Sequence, residues 1–185
     1  MAKTKPDNRN RKSKKGGKSS HASGASAKSK PSPETLLIQA TALLQTSQPD
    51  EALVLARRAL SLLQESSTSS SATLPALNLI GEIYVELGDP QAARESFLTA
   101  VQLDPEGATN EGAEKFLWLA QLCEEGGVES VKWYQKGIDV LRKEIQELEG
   151  GANPGSLVEE ALNEKKNKMA SALCGIAEVY MTDLS

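Results

Sequence analysis

Leu74 to Pro105 reads LPALNLIGEIYVELGDPQAARESFLTAVQLDP, and its spacing decides the fold. Leu77, Ile80, Gly81 and Tyr84 recur at three and four residues, so they form one stripe on a first helix. Gly81 leaves out a side chain where a second helix crosses closely. Gly88, Asp89 and Pro90 stop that helix and start the next: Asp89 is a capping residue, and Pro90 stands in the first turn, where a missing N–H costs nothing. Ala93, Phe97 and Ala100 continue the stripe on the second helix, with small residues bringing the backbones together and Phe97 filling the gap.

The same hairpin can be laid over its neighbours. Upstream, Leu36, Gln39, Ala40 and Leu43 take the places of Leu77, Ile80, Gly81 and Tyr84. Gln48, Pro49 and Asp50 make the turn, and Ala52, Ala56 and Ala59 line the second helix. The Ser-rich stretch Ser66 to Thr73 is an inserted loop between the two units. Downstream, Phe116, Leu119, Ala120 and Cys123 mark a third first-helix, broken at Gly126 and Gly127, and an overlong partner runs from Val128 to Glu149. After a linker from Gly150 to Ser156 a long helix ends in LCGIAEVY (Leu173 to Tyr180), which repeats LNLIGEIY (Leu77 to Tyr84) almost letter for letter.

Taken together, these residues resemble the tetratricopeptide repeat, whose unit of about 34 residues places Gly81, Tyr84, Ala93, Phe97 and Pro105 at its signature positions. The expected fold is all-α: a helical-hairpin solenoid over residues 34–185, of three hairpins and an unpaired fourth first-helix. An apolar stripe only half covered at Leu173, Ile176 and Tyr180 is expected of a piece of a longer array, the other reading being that the last helix caps the array itself.

Residues 1–33 follow another logic. Every Leu, Ile, Val, Phe, Tyr, Trp and Cys lies at or after Leu36, so the preceding Lys, Ser and Gly mixture has nothing to bury and is expected to be a disordered basic tail. Ten Lys and Arg stand there against Asp7 alone, whereas the remainder carries 24 acidic and 11 basic side chains; the net charge of −4 hides two opposed halves. The densest basic run, Arg9, Arg11, Lys12, Lys14 and Lys15, reads as a nuclear-import signal, with a nucleic-acid patch or a merely solubilising tail as the other readings. No aromatic residue is interleaved there for stacking on bases.

Several function classes drop out. No apolar run approaches the roughly 18 residues of a spanning helix, and the basic start leads into no apolar segment of a secretory signal. His21 is the only histidine and lies in the tail, Cys123 and Cys174 stand far apart, and neither a phosphate loop nor metal-ligand spacing is present. The expectation is a protein that is no enzyme, with no catalytic residue, metal, cofactor or small-molecule substrate, working in the cytoplasm and nucleus.

Binding is the remaining chemistry. In tetratricopeptide proteins the first helices line a concave surface that holds a segment of another protein. The stripe beside the packing face gives Glu34, Leu37, Thr41 and Leu44; then Asn78, Glu82, Val85 and Glu86; then Glu114, Leu117, Gln121, Glu124 and Glu125; and finally Cys174, Glu178 and Met181. Seven of these are glutamates, and none is Lys or Arg. Such a surface is expected to take a cationic ligand and to reject the acidic peptides held by co-chaperone carboxylate clamps.

The runs AEKFLWLAQLCEEGG (Ala113 to Gly127), VKWYQKGIDVLRKEI (Val131 to Ile145) and LCGIAEVYMTDLS (Leu173 to Ser185) sharpen this. With LNLIGEIYVELGD they are similar to the fungal family of dedicated assembly chaperones for the fourth large-subunit ribosomal protein. The resemblance implies an acidic solenoid that shields a basic segment of a newly made ribosomal-protein client and escorts it to the nucleus; the basic run of the tail adds an import receptor as an expected partner. Further repeats and an acidic C-terminal extension belong to that pattern. The alternative is a nucleic-acid or ribosome-associated adaptor that binds through the basic tail, with the repeats as scaffold.

Overall fold

The computed structural model describes residues 31–66, 69–109, 111–150 and 155–183. Helices α1 (Pro33–Gln45) and α2 (Pro49–Glu65) form the first hairpin, α3 (Leu74–Glu86) and α4 (Pro90–Leu103) the second, and α5 (Glu114–Gln121) and α6 (Gly127–Glu149) the third; α7 (Ser156–Thr182) follows. Each helix packs on its chain neighbour, so the architecture is a solenoid of hairpins, as the repeat pattern requires.

The turns follow from local chemistry. In the first hairpin the N–H of Gln48 donates to Leu43 O at 2.9 Å and that of Ser47 to Leu44 O at 3.0 Å; in the second, Asp89 N and Gly88 N repeat the pattern on Tyr84 O and Val85 O. This pair of hydrogen bonds closes a helix only when the residue after the cap is left-handed. Gly88 accepts that with φ 73°, and Ser47 is forced into it with φ 57°. Asp89 then takes the N–H of Ala92 on its carboxylate at 3.0 Å, capping α4.

Packing uses the small residues as expected. Ala40, Ala52, Ala56 and Ala59 are fully buried, and a Cβ added at Gly81 would lie 2.5 Å from Phe97 Cζ. Phe97 is itself fully buried between α3 and the third hairpin, and its burial contributes about 2–3 kcal/mol. The third hairpin inverts the device, with Leu117 of α5 seated on Gly137 of α6. Tyr84 reaches back to α2, where the Arg57 guanidinium lies over its ring and donates to its hydroxyl.

Three expectations change. Gln39 is exposed, not packed like its counterpart Ile80, because Ile80 lies against the preceding hairpin and no described helix lies before α1. The Ser-rich loop carries a short 3-10 turn, Ser70–Thr73, that leads directly into α3. The third first-helix stops at Gln121, so Cys123, Glu124 and Glu125 belong to a turn.

Helix α7 runs unbroken for 27 residues against α6. Met169 and Ile176 pack on the α6 core, Lys165 Nζ meets Glu144 Oε2 at 2.8 Å, and Gly175 admits the Tyr134 ring. At its far end the Asp183 carboxylate accepts the Gly127 N–H at 3.0 Å, capping the start of α6 from across the hairpin. Leu173 and Tyr180 stay more than half exposed. Among the described residues, no helix is long and apolar enough to cross a membrane.

Candidate partner-binding groove

Three adjoining hollows follow the first helices. Leu37 and Thr41 of α1 and Asn78 and Glu82 of α3 line the first, of about 400 Å³. Glu82 also lines the second, of about 270 Å³, with Leu44, Glu86, Glu111, Glu114, Trp118 and Lys168. The third, of about 960 Å³, shares Glu114, Trp118 and Lys168 and continues over Gln121, Cys174 and Glu178. Because each hollow shares residues with the next, they make one groove along α1, α3, α5 and α7. The stripe drawn beside the packing face therefore exists as a surface at Leu37, Thr41, Leu44, Asn78, Glu82, Glu86, Glu114, Leu117, Gln121, Cys174 and Glu178.

Other members of that stripe are elsewhere. Glu124 and Glu125 lie in the turn after α5, and Glu125 meets Arg94 of α4 at 3.3 Å; both leave the groove because the helix that would have carried them ends at Gln121. Glu34 is exposed on the first turn of α1, its carboxyl held below its usual range by a backbone hydrogen bond and then by Ser32. Val85 turns toward the cluster around Ala93, Phe97 and Leu119, and Leu117, although it edges the third hollow, is mostly core. The basic run Arg9, Arg11, Lys12, Lys14 and Lys15 lies outside the described residues.

Three groove residues escape the stripe. Trp118 stands four residues after Glu114 and three before Gln121, so the same spacing rule reaches it; it stacks on Phe97 at 6.1 Å and leaves its indole half-buried on the groove wall. Glu111 belongs to the loop before α5, where no helical period operates, and has φ 60°. Lys168 corrects the expectation of a face without cations. It pairs with Glu114 and, at 2.7 Å, with Glu164; burial opposes its charge, but the hydrogen bonds to those two carboxylates raise its pKa further. Continuing the face of Gly175 back by seven residues along α7 arrives at Lys168, once the helix is known to be unbroken.

The electrostatics centre on Glu82. Its pKa rises from 4.5 to about 7, chiefly because it is largely removed from water, then because the Glu114 and Glu111 charges face it; Lys168 offsets part of this. Near neutral pH the groove therefore holds a carboxyl poised between its two protonation states. One turn away, Asn78 Oδ1 is buried without a hydrogen-bond partner among the described residues, an acceptor whose desolvation is uncompensated. At the far end Glu178 faces Tyr134, whose phenol is pushed up by burial and then by that charge.

Beside the groove, the loop after α4 has its own anchor. Asp104 Oδ2 accepts from Lys115 Nζ at 2.7 Å and from Thr109 Oγ1 at 2.8 Å, while Oδ1 accepts from Ala108 N at 2.9 Å. Burial works against the Asp104 charge, but the Lys115 hydrogen bond and those from Ala108 and Thr109 hold its carboxyl far below the ordinary range. Lys115 is completely buried against Phe116, away from the groove.

The tetratricopeptide-repeat family model matches residues 32–106, the first two hairpins. Over these two hairpins the chain matches that family, and the described residues as a whole fold as an all-α solenoid of hairpins of the same kind. Its relatives include the "Probable assembly chaperone of rpl4" of Emericella nidulans, 54% identical over 60% of this chain and 29% of the relative. The Schizosaccharomyces pombe protein of the same name is 34% identical over 80% of this chain and 39% of its own length. Among solved structures, "Assembly Chaperone of RpL4 (Acl4) (Residues 1-338)" superposes with a TM-score of 0.75 at 44% identity, covering 84% of this chain and 56% of that one. The chain thus spans a third or so of the curated relatives and about half of the solved one.

Proposed function

We propose that the chain acts in an assembly chaperone for the ribosomal protein rpl4, holding a basic segment of the newly made client in its acidic groove. The observation that carries this is the convergence of Glu82, Glu86, Glu111 and Glu114 on one hollow from three separate parts of the chain. The names of its relatives support the client. Lysine or arginine side chains enter between the carboxylates, the Trp118 face receives a cation or an aliphatic stem, and Asn78 Oδ1 accepts a donor from the client. A ribosomal protein binds polyanions, so a row of carboxylates competes with RNA phosphates for the same side chains. Exposed contacts of this kind are worth about 0–1 kcal/mol each; specificity comes from their sum and from steering.

The role contains no catalytic step and needs no cofactor. Escort into the nucleus rests on the basic run Arg9 to Lys15, recognised by an import receptor, and places the protein in both cytoplasm and nucleus. Binding of purified rpl4 is expected to weaken as salt rises, and to fall at least tenfold when Glu82→Lys and Glu86→Lys are combined. Glu124→Lys, outside the groove, is the matched control. Equal affinity of the double variant and wild type, with helicity intact by circular dichroism, removes the groove. Loss of client binding on deleting Met1 to Lys30, with the groove variants silent, supports the tail-borne adaptor instead.

A further inference from the structure

Glu111 is a bulky side chain in a left-handed conformation, φ 60°, in a loop where glycines already occupy other special positions. A non-glycine outlier of this kind persists only when its surroundings over-determine it. Those surroundings are unusually specified. Four hydrogen bonds converge on the Asp104 carboxylate, from Ala108 N, Thr109 N, Thr109 Oγ1 and the fully buried Lys115 ammonium. Gly107 turns with φ 64° against Val140 and Phe116, and a Cβ at Gly112 would lie 2.3 Å from Gly107 O, so the two ends of the loop touch. Gly112 N then donates to Thr109 O at 2.9 Å and Glu114 N to Glu111 O at 3.3 Å, leaving Glu111 at the crest between clamp and helix.

Core packing alone does not call for this. A buried ion pair generally contributes no more to stability than apolar side chains of the same volume, and Thr109, which bonds the Asp104 carboxylate, itself lines one of the two hollows that Glu111 lines. We propose that the buried Asp104–Lys115 pair is a positioning device for the groove, and that the residue it positions, Glu111, is a client-contacting carboxylate set against Glu82. This rests on the groove reading above and adds to it a contact that belongs to no helix. The clamp fixes the loop before any ligand arrives, so that side does not have to be ordered during binding.

The test uses the full chain, an oligo-arginine peptide carrying fluorescein, and fluorescence anisotropy. Glu111→Gly keeps the left-handed backbone and removes the carboxylate; it is expected to weaken the peptide about fivefold without lowering thermal stability. Asp104→Ala with Lys115→Met removes the clamp without leaving a buried charge and is expected to cause a loss of the same size. Added to Glu111→Gly it should cause no further loss, because both act through one carboxylate. Where that pair does not fold, Thr109→Val loosens the clamp by its hydroxyl bond alone and should give a smaller loss, again absent beside Glu111→Gly. As a second readout, the Glu82 carboxyl, faced by Glu86 on its own helix, Glu111 and Glu114 across the groove and Lys168 on α7, should titrate at lower pH by NMR in Glu111→Gly and in the clamp variant alike.

Additive losses, or full affinity with an unmoved Glu82 titration in the clamp variants, overturn the inference while leaving the groove standing. If Glu82→Lys with Glu86→Lys fails to weaken the peptide, both fall.

Discussion

Glu82→Gln should make the folded chain more stable at neutral and alkaline pH and leave it nearly unchanged in acid. Glu82 is largely buried between the second and third hairpins, facing Glu111 and Glu114, with Glu86 on its own helix and Lys168 as the facing cation. Its carboxyl titrates near 4.5 in the unfolded chain and at about 7 when folded. At about 1.4 kcal/mol for each tenfold change in proton affinity, the ionised group costs the folded state at most about 3–4 kcal/mol. The groove is open along one side and salt enters it, so the expected cost is about 1–2 kcal/mol. A carboxyl raised on folding favours the native state below its unfolded value, and that advantage is lost as pH rises through the folded one. The gap between variant and wild type should therefore be close to zero below about pH 4.5, open between about pH 5 and 7, and level off near pH 8. Urea unfolding followed by circular dichroism across that range measures it. A gap that does not vary with pH, or a wild type more stable than the variant at pH 8, refutes the reasoning. The same arithmetic predicts that a cationic client, by favouring the ionised form, displaces a proton near neutral pH and binds more tightly at pH 8 than at pH 6.

Two further outcomes test the fold. Gly81→Ala brings a methyl within 2.5 Å of the fully buried Phe97 ring, and should cost about 1–2 kcal/mol in urea unfolding, overpacking outweighing the better helix propensity of alanine. Ser47→Gly relieves the left-handed serine that closes the first hairpin and should gain about 0.5–1 kcal/mol, read as a higher urea midpoint with unchanged slope.

The hairpins were legible because their information is local. Leu77, Gly81, Tyr84, Ala93 and Phe97 state a helical period, and Gly88, Asp89 and Pro90 state where it breaks. The groove was legible in part, since a stripe beside a packing stripe follows from 3.6 residues per turn; Asn78, Glu82, Glu86, Glu114, Gln121 and Glu178 all lie where that geometry puts them. The rule failed where the helix did. Glu124 and Glu125 continue the period on paper, but α5 ends at Gln121, so both fall in the turn that leads to the positive-φ Gly126 and Gly127. Gln39 matched a buried position by letter alone, without a neighbouring hairpin to bury it.

By itself, then, the sequence determined the repeat, its turns and the acidic sign of the surface beside them, because each depends on residues within a turn or two of one another. Tertiary structure alone decided which charges meet. Glu82, Glu111, Glu114 and Lys168 come from four places in the chain, and the elevated pKa of Glu82 arises from their proximity and from the water they exclude. Lys115 became the buried anchor of a loop, since only packing supplies Asp104 as its partner across eleven residues. Periodicity assigns a residue to a face; distance and burial assign it an energy, and those exist only once the helices are packed.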